Sequence, residues 1–267
     1  MSNSMKVVIL CGGFGTRLRE ETEIKPKPMV EIGGKPILWH IMKIFAHHGY
    51  NEFVLCLGYK GDVIKNYFLN YNQLNNDFSV ELGSGDIQVH DNHHEMDWKV
   101  TLVNTGHNAM TGARVKRIEK YIDGDQFFLT YGDGVTDLNI GQLVDFHKSR
   151  NKIGTVTGVI PPSHYGELNV SGENVVSFQE KPNSSGPFIS GGYFVFDKEI
   201  FHYLSNYDDC VLERAPLENL SKDGQLSVYG YRGFWQCMDT YRDYVFLNNL
   251  WDHGEAKWKV WDCSETK

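Results

Sequence analysis

The chain has 267 residues, of which 41% are hydrophobic and 13% aromatic, and its formal net charge at pH 7 is −8. This length and composition predict a globular protein with a sizeable core, and the acidic excess argues against a nucleic-acid partner, because nucleic-acid-binding proteins usually present a basic face. No apolar run approaches the roughly 20 residues of a membrane span, and the first residues lack the basic and apolar regions of a signal peptide.

Apolar runs of strand length alternate with helical patterns in the first half of the chain. The predicted strands are Lys6–Cys11, Phe53–Leu57, Val100–Val103 and Phe127–Tyr131, and the predicted helices are Ile37–Ala46, Asp62–Tyr71, Ala113–Ile122 and Gln142–Arg150. This alternation predicts an α/β protein with a largely parallel sheet and helices on both faces. Ligands of such sheets gather at the carboxyl ends of the strands.

The second half of the chain is richer in strands. Its predicted strands are Thr155–Ile160, Glu167–Val170, Val175–Phe178 and Phe188–Phe196, and its predicted helices are Leu212–Asp223 and Tyr241–Trp251. We expect these strands to add mixed pairs to the same sheet, so that residues 1–267 form a single domain. Residues 72–98 are polar and weakly periodic, and we interpret them as an excursion that serves as an oligomer contact or a flap.

The cysteines indicate the redox environment. All five are widely spaced and none forms a C-x-x-C pair, while Cys11 and Cys56 lie inside apolar runs. We therefore expect buried free thiols, which fit a reducing cytoplasm better than a disulfide framework.

A glycine-rich loop follows the first predicted strand, with the sequence Gly12-Gly13-Phe14-Gly15-Thr16-Arg17. Glycines let backbone amides approach an anion without Cβ atoms in the way, which favours polyphosphate binding. The spacing fits neither the Walker pattern nor the dinucleotide fingerprint, where Leu18 would replace the third glycine. A plain tight turn explains two glycines but not the arginine that follows.

Two prolines bracket Lys27 in the stretch Lys25-Pro26-Lys27-Pro28. Proline restricts its own φ and that of the preceding residue, so we expect an extended strap that presents an ammonium group to a phosphate. We expect Lys27 to be exposed in the empty protein. The alternative is a solvated turn with incidental lysines.

Two aspartates follow apolar stretches that end at the presumed ligand edge. Asp133 comes after the strand Phe127–Tyr131, and Asp239 comes after Phe234–Met238. Phosphoryl transfer requires a divalent cation, and one or two carboxylates suffice to hold Mg²⁺ beside substrate oxygens. The alternative for Asp239 is a cap on the helix that begins at Tyr241.

A second anion site is indicated by Glu180-Lys181-Pro182, where a proline again restrains a lysine. Gly191-Gly192 would allow close approach of a compact polar ligand such as a sugar. A β-bulge explains this glycine pair equally well.

Together these segments resemble the sugar-1-phosphate nucleotidyltransferases. The family signature G-G-x-G-T-R-L followed by P-K-P stands at Gly12–Leu18 and Pro26–Pro28, and the likeness continues through Gly132-Asp133, Glu180-Lys181-Pro182, Gly191-Gly192 and Asp239. Within the family the chain is most similar to the glucose-1-phosphate cytidylyltransferases, and this likeness lies in Glu20–Met42, Asn104–Ile118, Tyr131–Ile140 and Phe234–Asp243.

The resemblance implies a Rossmann-like nucleotidyltransferase fold with a mixed, mostly parallel central sheet flanked by helices. It also implies a Mg²⁺-dependent reaction of CTP with α-D-glucose 1-phosphate that gives CDP-glucose and pyrophosphate, for lipopolysaccharide O-antigen synthesis. The family assembles as a homo-oligomer, reported as a hexamer. The nearest alternative is the same chemistry with UTP or dTTP, and another is a regulatory protein that binds nucleotide or sugar phosphate without catalysis.

The resemblance also assigns roles to individual residues. Arg17 is expected on the β- and γ-phosphates and Lys27 on the α-phosphate, and these two are the implied catalytic residues. The implied nucleotide-binding residues are Leu10, Cys11, Gly12, Gly13, Phe14, Gly15, Thr16, Arg17, Lys27, Ala109, Arg114 and Asp133. Asp133 and Asp239 are the implied Mg²⁺ ligands, and Glu180, Lys181 and Gly192 the implied sugar-phosphate site. Ala109 departs from the expected pattern, since a small hydroxyl residue is expected there.

Overall fold

A seven-stranded mixed sheet forms the centre of the protein. The computed structural model describes residues 5–16, 18–90, 95–161, 167–179 and 187–261. Within these ranges the strands are β1 (Lys6–Cys11), β2 (Glu31–Ile32), β3 (Lys35–Pro36), β4 (Glu52–Leu57), β5 (Phe78–Val80), β6 (Ile87–Val89), β7 (Lys99–Asn104), β8 (Gln126–Tyr131), β9 (Gly134–Thr136), β10 (Gly154–Val159), β11 (Glu167–Ser171), β12 (Asn174–Gln179), β13 (Ile189–Asp197), β14 (Leu226–Tyr231) and β15 (Trp235–Cys237).

The helices lie between these strands. In the described ranges the α-helices are α1 (Arg19–Thr22), α2 (Ile37–His47), α3 (Gly61–Leu69), α4 (Tyr71–Asn75), α5 (Thr111–Arg117), α6 (Ile140–Arg150), α7 (Ala215–Lys222) and α8 (Tyr241–Asp252). Polar side chains cap two of them at their N-termini: Asn139 accepts a hydrogen bond from the amide of Gln142 in α6, and Thr240 does so from the amide of Asp243 in α8. None of the helices in the described ranges is long and apolar enough to cross a membrane.

The strand order of the sheet is β14-β10-β13-β8-β1-β4-β7. All neighbouring pairs are parallel except the two that β13 makes with β10 and β8, so six strands share one direction. The carboxyl ends of β1, β4, β7 and β8 therefore meet at one edge of the sheet. This confirms the predicted α/β arrangement with a mostly parallel sheet.

Two apolar cores cover the two faces of the sheet, because successive residues of a strand point to opposite faces. In β1, Val7, Ile9 and Cys11 belong to one core, which α2 and α6 cover. Val8 and Leu10 belong to the other, which α5 and α7 cover. Cys11 and Cys56 are buried free thiols, as the sequence predicts.

The second half of the chain departs from the prediction in one respect. Among the described residues β11 and β12 pair only with each other, as a hairpin separate from the seven-stranded sheet, so the expectation that they join it is wrong. Their described side chains are exposed, and without burial on either face nothing fixes such a hairpin to the core. β14, which the sequence analysis did not predict, forms an edge of the sheet instead.

The predicted excursion contains regular structure of its own. The short helix α4 precedes the hairpin of β5 and β6, which pairs with no other strand in the described ranges. Several apolar side chains of this hairpin are exposed, among them those of Phe78 and Ile87. Its role as an oligomer contact or flap stays a prediction.

Candidate active site

A cavity of about 330 Å³ opens at the carboxyl edge of the sheet, beside the ends of β1 and β8. The predicted nucleotide-binding residues that line it are Leu10, Cys11, Gly12, Gly13, Phe14, Gly15, Thr16, Lys27, Ala109, Arg114 and Asp133. Asp239 lines it as well. Eleven predicted nucleotide-binding positions from four separate segments therefore converge on one cavity. Arg17, Glu180 and Lys181 lie outside the described residues.

Glycine is favoured at each of the three loop positions for a different physical reason. A Cβ on Gly12 would lie 2.3 Å from Cζ of Arg114, so Gly12 is required by packing beneath the loop. Gly15 has a φ of +63°, a left-handed conformation that favours glycine. Gly13 is exposed in the cavity wall, and a Cβ there would meet no atom within 4 Å. Of the three, only Gly13 leaves open space in the described structure for a close ligand.

Arg114 joins the glycine loop to its neighbours. Its guanidinium is buried and donates hydrogen bonds of 2.7–3.3 Å, and the acceptors are the carbonyl oxygens of Leu57, Gly106, Gly12 and His107 and the hydroxyl of Thr105. These acceptors lie at the carboxyl ends of β1, β4 and β7 or in the loops that follow them, so one side chain connects three loops. Burial lowers the pKa of Arg114 from its ordinary value, because desolvation disfavours the charged form.

The ammonium group of Lys27 lies between two carboxylates. Its Nζ is 2.6 Å from Oδ2 of Asp133 and 2.5 Å from Oδ1 of Asp239. The side chain is only 12% exposed, so the expectation that Lys27 is exposed in the empty protein is wrong. Burial lowers the pKa of Lys27, but the charge of Asp133 and the hydrogen bonds of both carboxylates outweigh burial and leave that pKa raised.

The backbone around Lys27 also differs from the predicted extended strap. Pro26 is extended, but Lys27–Met29 form a 3₁₀ turn, in which the amide of Val30 donates to the carbonyl of Lys27. This turn directs the Lys27 side chain toward the two aspartates.

A small two-stranded sheet brings the two aspartates together. Asp133 directly precedes β9 and Asp239 closely follows β15, and these two strands pair antiparallel, with Cys237 opposite Gly134. The amide of Met238 also donates to the carbonyl of Asp133 at 2.8 Å. The alternative that Asp239 caps the following helix is wrong, because Thr240 is the N-cap of α8.

The donor set at this point fits a hard divalent cation. Asp133, Cys237 and Asp239 each offer one ligand atom, and these atoms lie within 4.8 Å of one another. Carboxylate oxygens are the ligands that Mg²⁺ prefers, whereas a thiol suits softer metals. The ammonium of Lys27 already lies between the two carboxylates, so the pair accommodates a positive charge.

A second cavity of about 250 Å³ adjoins the first, and Tyr131, Asp133 and Asp239 line both. Gly192, the predicted sugar neighbour, lies in its wall with a φ of +76°. A Cβ on Gly192 would lie 2.6 Å from Cδ2 of Tyr131. The register of β10 and β13 shifts at this point, so the glycine pair belongs to an irregular strand and also borders a cavity.

Sequence reasoning missed Tyr131 and its partners. The hydroxyl of Tyr131 donates to the carboxylate of Glu213, which also accepts a hydrogen bond of 2.6 Å from the hydroxyl of Thr111. Through Glu213, Tyr131 therefore connects the wall between the two cavities to Thr111 at the start of α5. Its position, last in a predicted strand and directly before Gly132-Asp133, was the available signal.

Comparisons with known proteins show the family of the chain. The nucleotidyl transferase family model matches residues 6–232. The glucose-1-phosphate cytidylyltransferase of Salmonella typhi is 49% identical over 259 residues, which cover 97% of this chain and 100% of that protein. A Bacillus subtilis protein named "Probable glucose-1-phosphate cytidylyltransferase" is 44% identical over 257 residues, 96% of this chain and 100% of its own length.

A solved structure supports the fold. The crystal structure of HddC from Yersinia pseudotuberculosis superposes with a TM-score of 0.68 at 24% identity, covering 92% of this chain and 99% of that one. The family match and the two relatives confirm the resemblance identified from the sequence.

Proposed function

Because the chain belongs to the nucleotidyl transferase family, we propose that it transfers the cytidylyl group of CTP to α-D-glucose 1-phosphate, giving CDP-glucose and pyrophosphate. The observation that carries the choice of substrates is the 49% identity to the Salmonella typhi cytidylyltransferase across the whole of that protein. The two adjoining cavities support it, since one reaction must hold a nucleotide and a sugar phosphate side by side.

The reaction requires no general base. A phosphate oxygen of glucose 1-phosphate attacks the α-phosphorus of CTP, and the new P–O bond replaces the bond to the β-phosphate, so that pyrophosphate leaves with the electron pair. The attacking phosphate is already largely ionised at neutral pH, because its second pKa is about 6. Catalysis is therefore mainly alignment and charge neutralisation between two anions.

Lys27 is the described cation best placed for this task, because its ammonium borders the nucleotide cavity next to both carboxylates. In the proposed site it neutralises charge at the α-phosphate. Arg17 would steady the departing pyrophosphate, as the family signature implies. Gly13 would let the backbone approach the triphosphate, since no atom lies within 4 Å of a Cβ built there.

A divalent cation, which we propose is Mg²⁺, would further neutralise the phosphates when bound. Asp133 and Asp239 would hold it, and their carboxylates face a common point that Lys27 already reaches. Glu180, Lys181 and Gly192 would hold the sugar phosphate, and of these three Gly192 lies in the wall of the second cavity. That the protein is cytoplasmic and forms a homo-oligomer, a hexamer by family resemblance, also stays a prediction.

The substrate assignment is tested by pyrophosphate release from CTP, UTP, dTTP and GTP, each with glucose 1-phosphate and Mg²⁺. We expect the highest kcat/KM with CTP. A tenfold preference for UTP or dTTP would show that the assignment of cytosine is wrong, but it would leave the proposed mechanism unchanged. No release with any of the four, together with measurable nucleotide binding, would favour a regulatory binding protein instead.

A further inference from the structure

The carboxylate of Asp243 accepts four hydrogen bonds from the segment around Asp239. Its Oδ2 accepts from the amides of Asp239 and Thr240, at 3.1 and 2.8 Å, and from the hydroxyl of Thr240 at 2.8 Å. Its Oδ1 accepts from Nε2 of Gln236 at 3.1 Å. Part of this set is an ordinary capping box, in which Thr240 and the residue at the third position of α8 satisfy each other's backbone amides.

Two of the four bonds go beyond a capping box. The amide of Asp239 belongs to a residue before the N-cap, and Gln236 belongs to β15, which pairs with the strand that follows Asp133. A carboxylate that only capped α8 would need neither contact. One side chain therefore contacts the helix start, the backbone of Asp239 and the strand β15, whose pairing with β9 brings Asp239 near Asp133.

We propose that Asp243 is a positioning residue, which holds the carboxylate of Asp239 at the point where the divalent cation binds. This inference rests on the proposed function, because it takes Asp239 as a cation ligand. Its physical basis is that a ligand carboxylate binds a cation well only when its orientation is fixed before the cation arrives, and groups behind the ligands provide this. Asp243 lines neither cavity, and its hydrogen bond to Asp239 is made to the backbone amide of that residue.

The chemistry of the contacts predicts how substitutions at position 243 rank. Alanine removes all four bonds. Asparagine keeps one acceptor oxygen for the amides and hydroxyl, so Asp243→Asn should preserve three of the four bonds. It loses the bond from Gln236, whose Nε2 also donates to the carbonyl of Cys237. The cap of α6 offers a matched control, because Asn139 accepts a hydrogen bond of 3.0 Å from the amide of Gln142 and lines neither cavity.

The experiment measures CTP binding by equilibrium dialysis without sugar phosphate, in excess Mn²⁺ and in EDTA, for the full chain and its variants. The quantity of interest is the factor by which Mn²⁺ tightens CTP binding. For Asp243→Ala we expect this factor to fall about tenfold, the usual scale for losing a group behind a metal ligand, with CTP affinity in EDTA unchanged. Asp243→Asn should keep most of the factor, and Asn139→Ala should keep all of it while lowering the melting temperature.

The outcomes separate this inference from the proposed function. If Asp243→Ala lowers the melting temperature as Asn139→Ala does but keeps the wild-type factor, Asp243 is only a helix cap and the inference is wrong. Asp239→Asn is measured in parallel: a loss of the factor there supports Asp239 as a ligand, whereas an unchanged factor overturns both the cation site and the inference. Should Asp243→Ala fail to fold, Asp243→Ser replaces it with the same expectation.

Discussion

Two cations border the same cavity, and they are held in opposite ways. Lys27 lies between two charged carboxylates, whereas the described hydrogen bonds of Arg114 go to four backbone carbonyls and one hydroxyl. The family resemblance assigns both side chains to the nucleotide. A lysine paired with carboxylates can turn to a phosphate when a metal ion takes the carboxylates, but an arginine that satisfies backbone carbonyls would leave them unpaired if it moved. We therefore expect Lys27 to take part in the reaction and Arg114 to support the loops.

The largest effect should follow the loss of Lys27. Lys27→Ala removes the charge that we propose neutralises the α-phosphate, so kcat/KM measured by pyrophosphate release should fall about a hundredfold or more. The variant should also unfold at a somewhat lower temperature, because Asp133 and Asp239 then repel each other without the intervening ammonium.

Lys25→Ala is the matched control for that experiment. Lys25 lies in the same proline-bracketed stretch, but its side chain is 29% exposed and pairs with Glu31 at 3.0 Å. It should retain nearly full activity, since exposed ion pairs contribute little. Comparable losses of activity in the two variants would show that activity depends on the proline-bracketed stretch as a whole and not on the position of the Lys27 charge.

A smaller effect on rate, with a larger effect on stability, should follow Arg114→Lys. The substitution keeps the charge, but an ammonium group cannot serve acceptors in three loops as the planar guanidinium does. We expect the free energy of unfolding, measured in urea, to fall by about 3 kcal/mol, because buried carbonyls lose their donors.

Arg117→Lys, in the same helix, serves as the control for Arg114. Its guanidinium binds Asp208 and the carbonyls of Thr105 and Asn206, and the side chain is 29% exposed, so the loss of stability should be smaller. If Arg114→Lys instead keeps its stability and only raises the KM for CTP, Arg114 contacts the nucleotide directly and the comparison with Lys27 fails.

The smallest effects should separate two adjacent glycines. Gly12→Ala places a Cβ 2.3 Å from the Arg114 guanidinium, and this overpacking should cost about 2 kcal/mol of unfolding free energy. Gly13→Ala meets no atom within 4 Å, so its stability should stay within about 0.5 kcal/mol of wild type. The KM for CTP should nevertheless rise for Gly13→Ala if the backbone there faces the triphosphate. Equal losses of stability would contradict the different roles of the two positions.

The sequence predicted local features well because they depend on neighbours along the chain. β1 was predicted from Lys6 to Cys11, as observed, since a buried strand is a continuous apolar run bounded by glycine. The placement of β11 and β12 was predicted wrongly, because their alternating apolar residues fit a sheet that they do not join. Pattern specifies that a strand forms but not which strand it pairs with.

The candidate site divides in the same way. By itself the sequence determined which residue types were present for the chemistry: the glycine loop, the lysine between prolines and the two aspartates that follow apolar stretches. Only the tertiary structure decided that Lys27 lies between Asp133 and Asp239 and that Gly12 makes room for Arg114. The physical reason is that these contacts join residues far apart in the chain. Strand pairing and side-chain packing bring these distant residues together, and neither can be predicted from a local sequence pattern.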